Sequence, residues 1–134
     1  MEPTSNPGRL AVHPLPGAAE RRTLLVCVRR MAAHGLHDSA ASMLMLHAFR
    51  LDYRRKLVLL RAFMLELAQA SHRTIALAPC CAMRMTADEA RIIEVFDCAA
   101  NDPERAQLSL AELTGYGRTC HALSLAVALG GMGD

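Results

Sequence analysis

The chain has 134 residues, a length that suits one domain with a core of its own. Hydrophobic residues make up 52% and charged residues 21%, with eight Gly and six Pro, which excludes a disordered, collagen-like or low-complexity chain. Aromatic residues are only 4%, so the core must consist of Leu, Ala, Val, Ile and Met, a composition that favours helices. A net charge of +2 does not by itself indicate a nucleic-acid or membrane partner.

The charges are distributed unequally along the chain. Residues 1–73 contain eleven Lys or Arg and five Asp or Glu, giving +6, whereas residues 74–134 contain four and eight, giving −4. The two halves are expected to attract each other within the fold, and the alternative is that the basic half presents a face to a partner.

The start of the chain is expected to form an extended, Pro-rich arm, because four of the six prolines lie within residues 1–17. A single helical domain is expected to cover residues 18–134. The start lacks the basic and apolar regions of a secretory signal, and no apolar run is long enough to span a membrane. Five cysteines are an odd number, so the sequence predicts a cytoplasmic protein with reduced thiols.

Apolar residues at steps of three and four predict an amphipathic first helix over residues 18–33. Its polar side is expected to expose three arginines as an interaction face: Arg22, Arg29 and Arg30. Gly35 is typical of a helix C-terminus and is expected to end this helix.

Three of the next helices begin at typical N-caps, whose side chains accept backbone N–H bonds. Asp38 is expected to cap the second helix. Asp52 is expected to cap the third, over residues 53–70, which is apolar nearly all round and therefore central. Thr86 and Glu89 have the spacing of a capping box and open the fourth.

Asp102 and Pro103 predict the start of a fifth helix, since Pro lacks the N–H that a first turn leaves unpaired. A sixth helix, rich in Ala and Leu, is expected over about residues 117–129. Its predicted buried face comprises Cys120, Leu123 and Val127.

Residues 71–85 do not fit this helical pattern. They lack a helical period, include Pro79 and are apolar, and their fifteen residues exceed the about 2–8 of a usual helix connection. The sequence therefore predicts an all-α fold, a compact array of five or six helices with one long irregular apolar segment crossing it. Such a segment either fills space in the core or carries the function.

This irregular segment contains two adjacent cysteines, Cys80 and Cys81. The following helix N-terminus and Arg84 favour thiolate forms, so the pair is a candidate redox or metal site. A disulfide between neighbouring cysteines is strained and is not expected. Thiolate, imidazole and thioether ligands suit Zn²⁺ or Cu(I). The candidate ligands are His72, Cys80, Cys81, Met83 and Met85, with Cys120 and His121 from the last helix.

The absence of CxxC and HxxxH pairs leaves packing in the core as the simpler interpretation of these cysteines and methionines. Cys27, Met31 and His34 share one side of the first helix, where core and helix-end roles explain them. Since no motif for hydrolysis or nucleotide binding is present, an enzyme is possible only through cysteine. The turn at Gly35 suggests a helix-turn-helix, but the helix that follows lacks the polar side chains that read base edges.

Three stretches resemble a small bacterial family of unknown function: RRMAAHGLHDSAA (29–41), RRKLVLLRAFMLELA (54–68) and SHRTIALAPCCAMRMTADEA (71–90). The resemblance covers roughly residues 13–100, and its most specific parts are the HGL turn and the APCC segment with the following MTxDEA. Relatives often continue the cysteine pair with a third Cys and a Pro, where this chain has Ala82 and Met83. A metal site that needs a third thiol is therefore not implied for this chain. The resemblance implies no activity, but it directs attention to the irregular segment.

Taken together, these features predict a non-enzymatic interaction or regulatory module in the cytoplasm. Its expected partner is a protein, either another protein or a second copy, and not a nucleic acid. The alternative is a thiol-based protein that binds Zn²⁺ or Cu(I), or senses redox conditions, through Cys80 and Cys81.

Overall fold

The computed structural model describes residues 10–130, which form helices joined mostly by short connections. The helices are α1 (Ala19–His34), α2 (Ser39–Phe49), α3 (Tyr53–Ala70), α4 (Ala87–Cys98), α5 (Pro103–Thr114) and α6 (Cys120–Gly130), with a 3₁₀ turn at Arg50–Asp52. The predicted all-α class is confirmed. Residues 1–9 of the predicted arm and 131–134 of the predicted domain lie outside the described residues.

Two short strands, which the sequence pattern did not predict, join the two irregular parts of the chain. Strand β1 (His13–Pro14) pairs antiparallel with strand β2 (Arg84–Met85), and His13 lies opposite Met85. The pairing attaches the described end of the predicted arm to the end of the irregular segment.

Two predicted helix caps are confirmed by their hydrogen bonds. The carboxylate of Asp38 accepts the N–H of Ala41 at 2.9 Å, which starts α2. At the start of α4, the Glu89 N–H donates to the Thr86 hydroxyl and the Thr86 N–H donates to the Glu89 carboxylate, each at 3.0 Å. Both ends of this capping box are therefore satisfied.

The predicted cap at Asp52 is wrong, because its side chain makes no capping hydrogen bond. The 3₁₀ turn leads directly into α3, and the N–H of Tyr53 already bonds the carbonyl of Arg50. The backbone of the turn therefore supplies a bond that a separate cap would otherwise provide.

The core lies where α3 and α4 bring together the rings of Phe63 and Phe96, whose centroids are 5.1 Å apart. Aliphatic residues fill the rest, as the composition predicts. Helix α1 packs mainly on α2, α3 on α6, and α4 on α5. The largest fully buried aliphatic side chains are Leu24, Leu25, Val28, Met45, Leu60, Ile92, Leu110, Leu113 and Leu129.

The predicted buried face of α6 is wrong. Cys120 and Val127 are exposed and Leu123 is half-buried. The buried side chains of α6 are Ala122, Ala126 and Leu129. Because α6 is apolar nearly all round, its sequence pattern does not decide which face meets the core.

Candidate functional site

The structure does not gather the predicted metal ligands into one site. His72, Cys80, Cys81 and Cys120 are all exposed. Within residues 10–130, no group of three or more His, Cys, Asp or Glu side chains is arranged to hold a metal ion. Structural and catalytic Zn²⁺ sites use at least three protein ligands, so the described residues provide no site of that kind.

The remaining soft donors lie in unrelated surroundings. Met83 is 79% exposed, whereas Met85 is buried in the core and belongs to β2. His121 lies beside Glu66 of α3, with its Nδ1 3.7 Å from the carboxylate. The thioethers of Met83 and Met85 and the imidazole of His121 therefore lie in different surroundings.

The two adjacent cysteines lie on the surface at a tight turn. The N–H of Ala82 donates to the carbonyl of Pro79 at 3.0 Å, which places Cys80 and Cys81 at the two central positions of the turn. Both side chains are exposed. The interpretation that this pair packs in the core is therefore wrong.

Arg29 was expected on the exposed side of α1, and this placement is wrong because Arg29 is only 3% exposed. Its guanidinium reaches Glu89 of α4 and donates two hydrogen bonds to the carboxylate, at 2.8 and 2.9 Å. It also donates to the carbonyls of Ala82 and Arg84, at 3.0 and 2.8 Å. The buried guanidinium of Arg29 is thus surrounded by one carboxylate of α4 and by two backbone carbonyls of the irregular segment.

The carboxylates at the start of α4 hold the irregular segment in place. The N–H of Ala78 donates to Glu89 at 2.9 Å, and the N–H of Ala76 donates to Asp88 at 2.7 Å. The Thr86 hydroxyl donates to the carbonyl of Ala76 at 2.7 Å. An apolar segment without regular structure can lie here because these side chains satisfy its backbone polar groups.

Ion pairs between the basic and acidic halves confirm the expected attraction within the fold. Arg73 donates to both carboxylate oxygens of Asp88, at 3.1 and 3.2 Å. Arg21 bonds Asp97 at 2.7 Å. With Arg29 and Glu89, these pairs attach α1 and the irregular segment to α4.

The other two arginines of the predicted interaction face also have partners in the chain. Arg22 donates to the carbonyls of Pro16 and Gly17, at 3.0 and 2.6 Å. Arg30 bonds the Asp38 carboxylate at 2.8 Å, and the Arg30 guanidinium holds the pKa of Asp38 at about 2. The predicted face is therefore not a group of free cations.

A different basic surface lies where α2 meets α3. Arg50, Arg54 and Arg55 are exposed, and none forms an ion pair within residues 10–130. Arg54 instead lies over the ring of its neighbour Tyr53, 5.9 Å from the centroid. Within residues 10–130, these three arginines therefore carry positive charge that no ion pair neutralises.

Exposed aliphatic side chains adjoin these arginines. Leu51, in the turn between α2 and α3, is fully exposed. Arg61 donates to the Ser42 hydroxyl at 3.2 Å, and this bond fixes the register of α3 against α2. Leu46, one helical turn after Ser42, and Val58, about one turn before Arg61, are both exposed. We call the following group the α2–α3 surface: Leu46, Leu51, Val58, Arg50, Arg54 and Arg55.

Arg50 adopts φ 55° and ψ −119°, a backbone conformation that favours glycine. Replacing Arg50 with Gly is therefore expected to stabilise the protein by about 1 kcal/mol, since the strain of about 1–3 kcal/mol exceeds the entropic cost of Gly. Urea unfolding of both proteins measures the change. The matched control is Arg55→Gly, which introduces Gly into a regular helix and should lower stability. Equal loss of stability in both variants would contradict strain at Arg50.

An acidic surface lies on α5. Glu104, Leu108 and Glu112 recur every four residues and share one face, and Leu108 is 60% exposed. A shallow depression of about 530 Å³ beside them is lined by four carboxylates and one guanidinium. We call the following group the α5 surface: Glu94, Asp102, Glu104, Leu108 and Glu112.

A groove of about 410 Å³ runs between α1, α3 and the irregular segment, lined mainly by aliphatic side chains. Its polar lining residues are Ser71 and Arg73. The Ser71 hydroxyl donates to the carbonyl of Arg73 at 2.5 Å, and the Arg73 guanidinium bonds Asp88. Because both polar side chains already have partners, the groove offers little to orient a ligand.

None of the helices between residues 10 and 130 combines the length and the hydropathy of a membrane span. No curated protein and no solved structure matches the chain. The model of one protein family, described as a family of unknown function, matches residues 5–132. This match confirms that the resemblance noted above is to a family without an assigned activity. Since it covers nearly the whole sequence, the chain belongs to the family of unknown function DUF6628.

Proposed function

We propose that this protein is a non-enzymatic interaction module that associates with copies of itself, the α2–α3 surface of one copy binding the α5 surface of the next. The observation that carries the proposal is the cluster of exposed arginines that form no ion pair within the described part of the chain, Arg50, Arg54 and Arg55, beside exposed aliphatic side chains. A second copy is the favoured occupant because the chain itself carries an acidic helix face with an exposed leucine.

The two surfaces can be used at the same time. They lie on different elements, and α5 packs against α4 and α6, whereas α2 packs against α1 and α3. A contact between two different surfaces is heterologous, so it leads to a ring or to an open chain of copies. Assembly should therefore grow with protein concentration beyond a dimer.

The expected affinity is modest and depends on salt. Each exposed ion pair contributes about 0–1 kcal/mol, and salt screens such pairs. Burial of Leu46, Leu51 and Val58 should supply much of the remaining free energy, at about 25 cal/mol per Å² of apolar surface. Arginine is also common at protein interfaces.

Exchange of charges between the surfaces tests the contact. Arg54→Glu reduces the summed formal charge of Arg50, Arg54 and Arg55 from +3 to +1 in one variant, and Glu104→Lys reduces that of the four α5-surface carboxylates from −4 to −2 in the other. Each variant alone should associate more weakly than the parent protein, whereas an equimolar mixture should associate better than either, because the altered α2–α3 surface of one variant then meets the altered α5 surface of the other. Sedimentation velocity over a concentration series, at low and high ionic strength and with a reductant, measures assembly.

The controls reverse charges elsewhere on the surface. Arg118→Glu and Glu20→Lys alter exposed residues outside both surfaces and should associate like the parent protein. Leu46→Ser and Val58→Ser should weaken association while preserving its dependence on salt. A parent protein that stays monomeric at all concentrations would overturn the proposal, and so would a mixture that associates no better than its components.

We also infer a cytoplasmic location. All five cysteines lie within the described residues, and each is a free thiol. Reduced thiols, among them an exposed adjacent pair, are typical of reducing compartments. Measuring the thiol content of protein isolated from cells under alkylating conditions tests this inference, and a stable disulfide in that material would contradict it.

A further inference from the structure

The five thiols fall into clearly different surroundings. Cys27 is buried, and burial raises the pKa of its thiol to about 12. Cys98 is half-buried, and burial raises its pKa as well. Cys80, Cys81 and Cys120 are exposed. The thiols of the last group are the most open to reagents in the folded protein, and two of these are adjacent.

A cation lies beside the adjacent pair. The pKa of the Arg30 guanidinium of α1 is raised, chiefly by the hydrogen bond with Asp38 and to a smaller extent by the nearby Cys80. The thiolate is the form that attacks peroxides, and both thiols of the pair are exposed to them. Cys120 is an exposed thiol without an adjacent cysteine, which makes that residue the matched control.

The turn that holds the pair suits a reversible change. A trans peptide bond keeps neighbouring Cα atoms about 3.8 Å apart, less than the about 4.4–6.8 Å of ordinary disulfides. A disulfide within the pair is therefore strained, which disfavours it as a permanent link. Strained, exposed disulfides are easily reduced, and these are the ones that serve regulation.

We propose that Cys80 and Cys81 are a redox-modification site, whose thiols form a reversible disulfide with each other when the protein meets a hydroperoxide. The Cys80 thiolate attacks the peroxide oxygen and becomes a sulfenic acid, and the peroxide leaves as water or an alcohol. The Cys81 thiol then attacks that sulfur, the S–S bond forms and a second water leaves. Both thiols are oxidised by two electrons in total, the hydroperoxide is reduced, and a dithiol reductant reverses the change.

The buried ion pair of α1 and α4 connects this turn to the core. The Ala82 carbonyl at the end of the turn accepts a hydrogen bond from Arg29 at 3.0 Å, and Arg29 also bonds Glu89. Closing a small ring at Cys80 and Cys81 must change the backbone of the turn and displace this carbonyl. The oxidised protein should therefore unfold at lower denaturant concentration than the reduced protein, and reduction should restore its stability.

The experiment treats the reduced full chain with one equivalent of hydrogen peroxide and then alkylates the remaining thiols under denaturing conditions. Intact mass and peptide mapping should show loss of two hydrogen atoms from the peptide with Cys80 and Cys81, and alkylation of the other three cysteines. Dithiothreitol should return both thiols. Cys120→Ser should react like the parent, whereas Cys80→Ser and Cys81→Ser should form no such product.

Three outcomes would overturn the proposal. They are oxidation of Cys120 as readily as of the pair, conversion of the pair to sulfinic acid with dithiothreitol unable to reverse it, and a disulfide between two chains in place of one within the chain. The readout is the bonding of two sulfurs in one peptide, so it is independent of self-association through the α2–α3 and α5 surfaces.

Discussion

Replacing Glu89 with Gln is expected to destabilise the protein by about 3–5 kcal/mol, because it leaves the buried Arg29 cation without its carboxylate. Both side chains are almost completely inaccessible, at 1% and 0% exposed. The Glu89 carboxylate also accepts the N–H groups of Ala78 and Thr86, so the amide cannot satisfy every donor around it. Urea unfolding monitored by circular dichroism measures the loss.

Two controls separate this ion pair from ordinary surface pairs. Glu112 pairs with Arg91 at the surface, 3.3 Å apart, and Glu112→Gln should cost at most about 1 kcal/mol. The double variant Arg29→Met and Glu89→Gln should lose less stability than the sum of the two single variants, since it removes the unpaired charge. If Glu89→Gln also lost at most about 1 kcal/mol of stability, that result would contradict a buried ion pair in which each charge depends on the other.

The local features of the fold were predictable from the sequence. Apolar periodicity locates the buried residues of α1, and the side chains of Asp38 and Thr86 locate helix starts, because these signals depend only on neighbours in the chain. Residues 71–83 lack regular structure, as their sequence predicts. Gly115, expected to end the fifth helix, has the left-handed backbone conformation of a helix C-terminus.

The features that hold the elements together were not predictable in the same way. Arg29 is a polar residue in a helix, and its exposure is the natural prediction until Glu89, sixty residues away, is known to face it. The pairing of β1 with β2 likewise joins positions distant in sequence. The sequence does contain one signal for these contacts. The acidic pair Asp88 and Glu89 follows an apolar segment whose backbone N–H groups need acceptors. Of the four hydrogen bonds that the Glu89 carboxylate accepts, the capping box accounts for only the one from Thr86.

The candidate functional sites could not be predicted from the sequence either, because they depend on where the fold places residues that are distant in the chain. The thiols, imidazoles and thioethers share the metals they suit, yet their spacing in the sequence carries no information on convergence. Within residues 10–130, neither His72 nor His121 belongs to a group of three or more His, Cys, Asp or Glu side chains that could hold a metal ion. Exposure of Cys80 and Cys81 depends on the Pro79–Ala82 turn, which an apolar segment does not reveal. Within residues 10–130, Arg50, Arg54 and Arg55 form no ion pair, and the sequence does not reveal this because it depends on which basic residues the fold places beside each carboxylate.

Replacing Gly117 with Ala is expected to destabilise the protein by about 3 kcal/mol or more, because the connection before α6 passes directly over the end of α3. A Cβ at Gly117 would overlap the carbonyl oxygen of Ala70 and lie 2.9 Å from its carbonyl carbon. The obstacle is backbone, so no side chain can rotate away. The Gly117 N–H also donates to the Thr114 hydroxyl at 3.1 Å, which fixes Gly117 relative to the end of α5.

Two other glycines of the chain serve as matched controls in the same unfolding measurement. Gly17 has nothing within 4 Å of its Cβ position and no positive φ, so Gly17→Ala should leave stability unchanged or slightly raised. Gly35 also has open space but φ 106°, so Gly35→Ala isolates backbone strain of about 1–2 kcal/mol. The expected order of loss is Gly117, then Gly35, then Gly17. A loss at Gly117 no larger than at Gly35 would mean that α6 and its connection can move away from α3 at little cost, and would contradict the close packing of these elements.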